Sequence, residues 1–535
     1  MIFLIARKEF LNNLLTARFV IGFLICLVLI PFSIVINIVD YRDKTVQYNV
    51  DSDVAEKAVK EIRVYSALRP EIVLRPEPLS IFSRGISGQV GNRVEIRIGD
   101  KPMLAAGKTA AGDNPFLGSF FSIDFVEIAA IVFSLLALLF GYDVFTREKE
   151  DGTLKVQLSN SLSRSRLLAG KVLGILLTLL PIIIFCFLFS AVVILFSKNV
   201  MFSAFEWGRI ALLFLISLAY LAVFIFLGVL ISARSRSSVT SLVLCLFVWV
   251  FFIFIVPNVS AYIAESFVPV QSRDNLDRVV NDMDRDLTIQ TQERQKAQNL
   301  PTGISCWWCN WGDDGRLETY GNSRANFEIM LRKISISELL RIEYADRKWA
   351  PQKTYLDSLI RQSRVAERIS MISPAGLFRV IAESVCSTDV RAYESDMEQA
   401  RRYRETFIDF LRNKNIFASY RYITAAPPES FQTEDQLIEI RSGGEFKTAR
   451  EYYEWAAKQK DQYAAWRKIS KVTAHGDQPN DFPFLSVSDM PRFQGRSKTI
   501  ASGLADSAVP ISILLIECVF LFALGYVAFI RFDVR

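Results

Sequence analysis

The sequence predicts a mainly α-helical, polytopic membrane protein with six transmembrane helices and a large, mostly helical extracytoplasmic domain. Charged residues make up 22% of the 535-residue chain. Six runs of roughly 19–26 residues nevertheless carry almost no charge, and about 18 apolar residues are enough to cross the hydrocarbon layer as a helix. The long stretches between these runs are polar, and most of them have apolar residues at helical spacing.

The six apolar runs are assigned to six spans in chain order. They cover residues 19–39, 125–145, 172–197, 209–232, 239–257 and 508–530. Such runs exclude a water-soluble, disordered, collagen-like or disulfide-scaffold protein. The net charge of +6 is modest and gives no reason to expect a nucleic acid as partner.

The residue types of the chain exclude several kinds of enzyme. His475 is the single histidine, whereas the zinc site of the H-E-x-x-H type needs two. The sequence also lacks a G-x-S-x-G nucleophile elbow and a G-x-x-x-x-G-K-[ST] phosphate-binding loop. We therefore predict no catalytic residue, no metal site and no cofactor in this chain.

Lys and Arg next to the spans predict the topology, because short cytoplasmic segments are enriched in these residues. They precede the first span (Arg7, Lys8, Arg18), lie between the second and third (Arg147 to Lys171) and follow the last. Both termini are thus predicted to be cytoplasmic. The cytoplasmic segments would be an interfacial helix at 1–18, a loop at 146–171 and a tail at 531–535, while 40–124 and 258–507 would be extracytoplasmic.

The first of these outer segments is predicted to be mixed α/β. Residues 46–50 and 94–98 alternate between apolar and polar side chains, as half-buried strands do. Residues 52–67 have the pattern of a helix.

The second outer segment is predicted to be helical. Apolar stripes lie at 276–287 and 390–411, and a long helical pattern covers 324–371 with Pro351 as an expected break or kink. Thr448 followed by Glu451 predicts the start of a helix over 449–468. This segment is either an ordinary helical domain or a stalk of paired helices that docks an outer partner.

Three cysteines lie in the predicted outer segments. Cys306 and Cys309 form a C-x-x-C pair, and Cys386 is the third. In an oxidising compartment we expect a structural disulfide among them, either within the pair or between one of its members and Cys386. Redox or metal chemistry is the alternative, although only three candidate ligands are visible.

Glu517 lies in the middle of the sixth apolar run. A carboxyl group within the bilayer is costly and faces protein or water. The residue is therefore a contact or gate on a translocation path, or a packing hydrogen bond between helices.

The stretch after the second span contains Glu148, Glu150, Gly152, Thr153 and Leu154, followed by Ser163, Arg164, Gly170 and Lys171. This pattern resembles the inner loop of the permease subunits of ATP-binding-cassette exporters of the second type, which has E-x-E-x-G-T-L and later G-K. Ser161 stands where that family usually has Pro. The segments 373–377 and 490–493 resemble a sub-branch with two large extracytoplasmic segments.

The resemblance implies a permease in a bacterial plasma (inner) membrane that exports a substrate. Its partners would be a second permease subunit, in a homodimer or heterodimer, and separate ATPase subunits that bind ATP and Mg. Docking of the ATPase is expected at Arg147, Glu148, Glu150, Gly152, Thr153, Leu154, Arg164 and Lys171, and lipids surround the spans. Alternatively, the ATPase moves the outer domain on an extracytoplasmic partner and nothing is transported. The loop charges could also serve only to solvate the loop.

Overall fold

The computed structural model describes most of the chain. It covers residues 2–88, 90–103, 124–159, 163–197, 200, 202–301, 308–311, 317–470, 480, 482–495 and 500–531. Within these residues helices dominate, and the strands form two small antiparallel pairs. The predicted tail at 531–535 lies outside the described residues apart from Arg531.

Six helices of the described residues are long and apolar enough to cross a membrane, which confirms the six predicted spans. They follow the short helix α1 (Ile2–Leu14) and comprise α2 (Ala17–Lys60), α3 (Phe125–Gly141), α6 (Arg164–Phe196), α7 (Ala204–Arg234), α8 (Ser238–Val250) with α9 (Val256–Phe267), and α17 (Ile500–Ile530). A π-helical turn, Phe251–Ile255, joins α8 to α9. Between α3 and α6 lie α4 (Thr146–Glu150) and α5 (Thr153–Ser159). The end of the bundle that carries α4 and α5 is called the loop end, and the opposite end is called the domain end.

The prediction of a strand at 46–50 is wrong, because α2 continues through these residues to Lys60. Ion pairs between residues four apart support the helix here, at Asp40–Lys44 (2.9 Å) and Glu56–Lys60 (2.7 Å). The helix predicted at 52–67 is the last part of α2 and ends at Lys60. The other strand, predicted at 94–98, is present only in part as β2 (Arg93–Glu95), which pairs with β1 (Glu71–Val73).

A large polar domain is built from the described residues between α2 and α3 and between α9 and α17. Its further elements are α10 (Arg273–Ala297), β3 (Trp308–Trp311), β4 (Leu317–Tyr320), α11 (Arg324–Ser370), α12 (Pro374–Cys386), α13 (Val390–Asn413), α14 (Glu434–Arg441), α15 (Ala449–Ala456) and α16 (Gln462–Ser470). Strand β3 pairs with β4, so that Cys309 lies opposite Thr319.

The helical predictions for the second outer segment hold with two corrections. The apolar residues of the stripe at 390–411 are all buried along α13: Val390, Tyr393, Met397, Ala400, Tyr403, Phe407 and Leu411. Helix α11 runs through Pro351 without interruption. The helix predicted at 449–468 is two helices, because the carboxylate of Asp461 accepts hydrogen bonds from Tyr463 N and Ala464 N and so starts α16 anew. The capping box of Thr448 and Glu451 is confirmed at the start of α15.

Helix α12 joins the domain to the spans. Twelve of its thirteen residues are buried, although it contains Arg379 and Glu383. It packs against α17, α7 and α3, and its apolar side chains belong to the same core as those of the spans. The polar domain is thus anchored in the bundle by a buried helix.

Candidate functional site: the loop between α3 and α6

The chain turns sharply between α4 and α5. Gly152 has φ +68°, a backbone conformation that glycine adopts without strain, and so permits this turn. Leu154, at the start of α5, is 1% exposed and anchors this helix to the bundle. Ser161, the residue that departs from the family pattern, lies outside the described residues.

Lys171 is the centre of the loop's polar contacts. Its side chain is 2% exposed, and its Nζ lies 2.8 Å from Glu148 Oε1 and 3.0 Å from Glu9 Oε1. The same Nζ donates to the Val144 carbonyl over 3.2 Å. Lys171 thereby connects α6 to α4, to α1 and to the end of α3. A buried ammonium group needs such partners, because an unpaired buried charge is strongly destabilising.

A polar cleft of about 390 Å³ opens beside this ion pair. Lys8, Arg147 and Asp151 are among its lining residues. Glu148 Oε1 also accepts from Gln157 Nε2 at 2.9 Å. Glu148 Oε2 is buried and has no hydrogen-bond partner among the described residues.

Lys149 and Glu150 attach α4 to the turn between α7 and α8. Lys149 Nζ donates to three carbonyl oxygens at the end of α7, those of Ser232 (3.2 Å), Ala233 (2.7 Å) and Ser235 (3.0 Å). Glu150 accepts from Ser238 N at 2.8 Å and Ser238 Oγ at 2.7 Å, at the start of α8. Opposite charges thus meet the helix ends that favour them, a cation at the C-terminus and an anion at the N-terminus.

The loop also contacts the last span. The rings of Phe145 and Phe529 stack with their centroids 4.2 Å apart. Arg164, at the start of α6, donates to the carbonyl of Ile530. These contacts connect the loop to α17, in addition to its connections with α1, α7 and α8.

The outward surface of the loop includes two of the predicted docking residues, Arg147 and Thr153, together with residues that the sequence analysis did not name. Arg147, Asp151, Thr153, Lys155 and Val156 are exposed, and Val156 is 64% exposed. We call these five residues the tip. The sequence analysis assigned Glu148 and Lys171 to partner contacts, but both bind within the chain, and Glu150 is held by Ser238.

Buried ion pairs attach the polar domain to the spans at the domain end. Arg379 of α12 binds Glu127 of α3 through both carboxylate oxygens, at 2.9 and 2.8 Å. Burial alone would lower the pKa of Arg379, but the carboxylates of Glu127 and Glu383 raise it above its ordinary value. Arg209 of α7 binds Glu77 at 2.8 Å and the Val385 carbonyl at 2.6 Å.

Two further predicted sites have different outcomes. Glu517 lies on α17, and its Oε2 is buried without a hydrogen-bond partner among the described residues. Cys386 is buried and forms no disulfide with the other cysteines whose side chains the structure describes, so its pairing with Cys306 or Cys309 stays a prediction. Its thiol lies at the end of the buried helix α12, away from solvent. Cys306 and the side chain of Cys309 lie outside the described residues, and their pairing stays a prediction.

Several site residues were missed by the sequence analysis. Lys149 lies within the family motif, but its role depends on the end of α7, more than 80 residues away in the chain. Gly170, which the motif contains, and Gly174 bring α1 against α6. Their small-x-x-x-small spacing was a usable signal for this packing. No comparable signal pairs Arg379 with Glu127.

The fold and the loop define a multi-pass membrane protein in which polar and aromatic contacts of the loop join α1, α6, α7, α8 and α17 at one end. A sequence model described as ABC-2 family transporter protein matches residues 3–534. The chain therefore belongs to the ABC-2 family and is a permease subunit of an ATP-binding-cassette transporter. A search of the curated proteins found no match.

Proposed function

We propose that this permease is the membrane-spanning subunit of an exporter and that a separate ATPase subunit docks on the tip. The ATPase would bind ATP and Mg and would hydrolyse the ATP. The observation that carries the proposal is the set of buried and polar contacts behind the tip, through Lys171, Lys149 and Glu150. A push on the tip would move several spans together, because α4 is held to each of them and is not a flexible loop.

A second permease subunit would complete the transporter, either a second copy or a related chain. The most apolar stretches of two spans, Ser238–Phe267 and Ala505–Ile530, are each only 17% buried within the chain. The unpartnered carboxylate oxygen of Glu517 lies on the latter span. A neighbouring subunit at α17 would cover this span and place polar groups beside the half-buried Glu517 side chain, which lipid tails cannot do.

The distribution of Lys and Arg supports a plasma-membrane orientation with both termini and the tip in the cytoplasm. The polar domain would then be extracytoplasmic. Single cysteines placed at exposed positions of the domain should react with an impermeant thiol reagent in intact cells, in a background without native cysteines. Cysteines at tip positions should react only after the cells are opened, and the reverse pattern would invert the orientation.

The second candidate function is mechanotransmission, in which ATP hydrolysis moves the polar domain on an outer partner without transport. The bidentate pair of Arg379 with Glu127 favours it, because the pair attaches buried α12 to the span that leads directly to α4. Motion at the tip would reach the domain through α3.

Reconstitution separates the two functions. Vesicles would contain only the permease and its ATPase, with a fluorescent lipid analogue and an amphipathic dye as cargo probes. Export predicts ATP-dependent movement of a probe that stops in a Walker-motif variant of the ATPase. An ATP-dependent change in distance between spin labels on α12 and α13, with neither probe moving, would support mechanotransmission instead.

A further inference from the structure

An apolar groove runs between α1 and α6 on the outer surface of the bundle. Its volume is about 590 Å³, and α1 contributes Phe3, Arg7 and Phe10 to its walls. The α6 wall is a stripe of apolar residues that extends from Leu177 to Leu188. Arg7 is the one charged residue of the lining.

The groove is a fixed feature because α1 is held tightly against α6. A Cβ atom at Gly170 would lie 2.7 Å from the Cβ of Ile5, and one at Gly174 would lie 2.5 Å from the Cβ of Glu9. A side chain at either position would therefore clash with α1, and the two helices can approach this closely only because both residues are glycines. The ion pair between Glu9 and Lys171, at 3.0 Å, fixes the same contact.

Arg7 is free to bind a ligand. Its side chain is exposed, and it makes no hydrogen bond or ion pair with the residues that the structure describes. A guanidinium group beside an apolar surface is well suited to a phosphate, which it binds through two parallel hydrogen bonds. Its neighbour Lys8 is also exposed but faces the polar cleft at the loop.

The shape of the groove indicates the rest of the ligand. The eleven steps from Leu177 to Leu188 correspond to about 16 Å along a helix. This length suits most of one acyl chain, which would lie against α6 with its headgroup beside Arg7. We propose that the groove binds one anionic phospholipid, with its phosphate on Arg7 and an acyl chain between α1 and α6. The lipid would be a bound constituent and not the cargo.

The test measures lipids that remain with the full-length protein. The purified protein would be exchanged into detergent with equal amounts of phosphatidylglycerol and phosphatidylcholine, and the retained lipids would be quantified by mass spectrometry. We expect preferential retention of about one phosphatidylglycerol. Arg7→Gln should reduce this preference about fivefold, which corresponds to about 1 kcal/mol for one basic residue near a lipid headgroup.

Matched variants separate a site from general attraction. Lys8→Gln removes the same charge one residue away and should keep the preference. Ile184→Trp should fill the groove and release both lipids, whereas Leu195→Trp, on the same helix but outside the lining, should release neither. Soluble glycerol phosphate should not displace the lipid. Equal loss in Lys8→Gln and Arg7→Gln, an unchanged lipid content in Ile184→Trp, or displacement by glycerol phosphate would overturn the proposal.

Discussion

Lys171 and Glu148 form a buried ion pair, with Nζ and Oε1 2.8 Å apart, between the start of the third span and the loop that precedes it. Glu9 is the second carboxylate on the same ammonium group. The sequence alone predicts a charged surface loop around Glu148. The ion pair instead holds this part of the loop against the bundle.

The first prediction concerns the stability that depends on this pair. Lys171→Met leaves the partly exposed carboxylates of Glu148 and Glu9 close together without their cation and should cost up to about 3–5 kcal/mol of unfolding free energy. Glu148→Gln should cost less, because Glu9 still pairs with Lys171. Lys155→Met, at an exposed lysine of the tip, should change little. Denaturation of the purified protein in one detergent measures all three. Equal stability of Lys171→Met and Lys155→Met would contradict the prediction.

The second prediction concerns pH and Glu367, which lines a cavity of about 350 Å³ between α11, α12, α13 and the start of α17. Burial, and then the nearby carboxylate of Asp389, raise the pKa of Glu367 to about 7. The carboxyl group of Glu367 therefore binds its proton more tightly in the folded state than in the unfolded chain. The stability that this group contributes is complete below about pH 4.5 and is lost as the pH rises through about 7.

Thermal unfolding of the wild type should accordingly occur at a lower temperature at pH 8 than at pH 5.5. Glu367→Gln should weaken this dependence and be more stable than the wild type at pH 8, because the amide cannot ionise. Burial also raises the pKa of the neighbouring Glu383, so part of the dependence should remain. Glu429→Gln, at an exposed carboxylate, controls for the change in net charge. A pH dependence in Glu367→Gln equal to that of the wild type would refute the assignment.

The third prediction concerns Glu517. Its side chain is half-buried on a span that is little covered within the chain, and we expect it to form a hydrogen bond with a second subunit. Glu517→Gln retains an oxygen acceptor of similar shape and should preserve the assembled state. Glu517→Leu removes both polar atoms and should shift the protein towards monomers. Light scattering in nanodiscs or mild detergent measures the change. Assembly of all three proteins to the same extent would exclude the packing role, whereas a Gln variant that assembles but is inactive would assign the charge to the translocation path.

Patterns formed by residues close together in the sequence predicted the fold well. The features that they did not predict depend on contacts between segments that are far apart in the sequence. Apolar length predicted the six spans, and the stripe along α13 predicted its buried face. The strand expected at 46–50 failed because the alternation of five residues is too short to outweigh the continuing helix α2. The motif predicts that docking occurs at this loop, but the inward direction of Glu148 depends on Lys171, which comes close only when α6 packs beside α4.

The last prediction concerns the docking of the ATPase on the tip. Because Glu148 and Glu150 bind within the chain, reversing their charge would damage the loop itself and could not isolate docking. Asp151 and Val156 are exposed. Asp151→Lys together with Val156→Asp should therefore leave the permease folded and inserted while the ATPase no longer co-purifies. Loss of a hydrogen-bonded charge at a desolvated contact costs about 2–5 kcal/mol, mostly through faster dissociation. This equals a roughly 30- to 4,000-fold loss of affinity, whereas a solvated charge contributes at most about 1 kcal/mol.

Arg531→Glu, at an exposed position at the loop end but away from the tip, is the control for charge reversal and should retain the ATPase. Wild-type recovery of the ATPase with the double variant, together with normal permease-dependent hydrolysis, would show that the tip is not the docking surface.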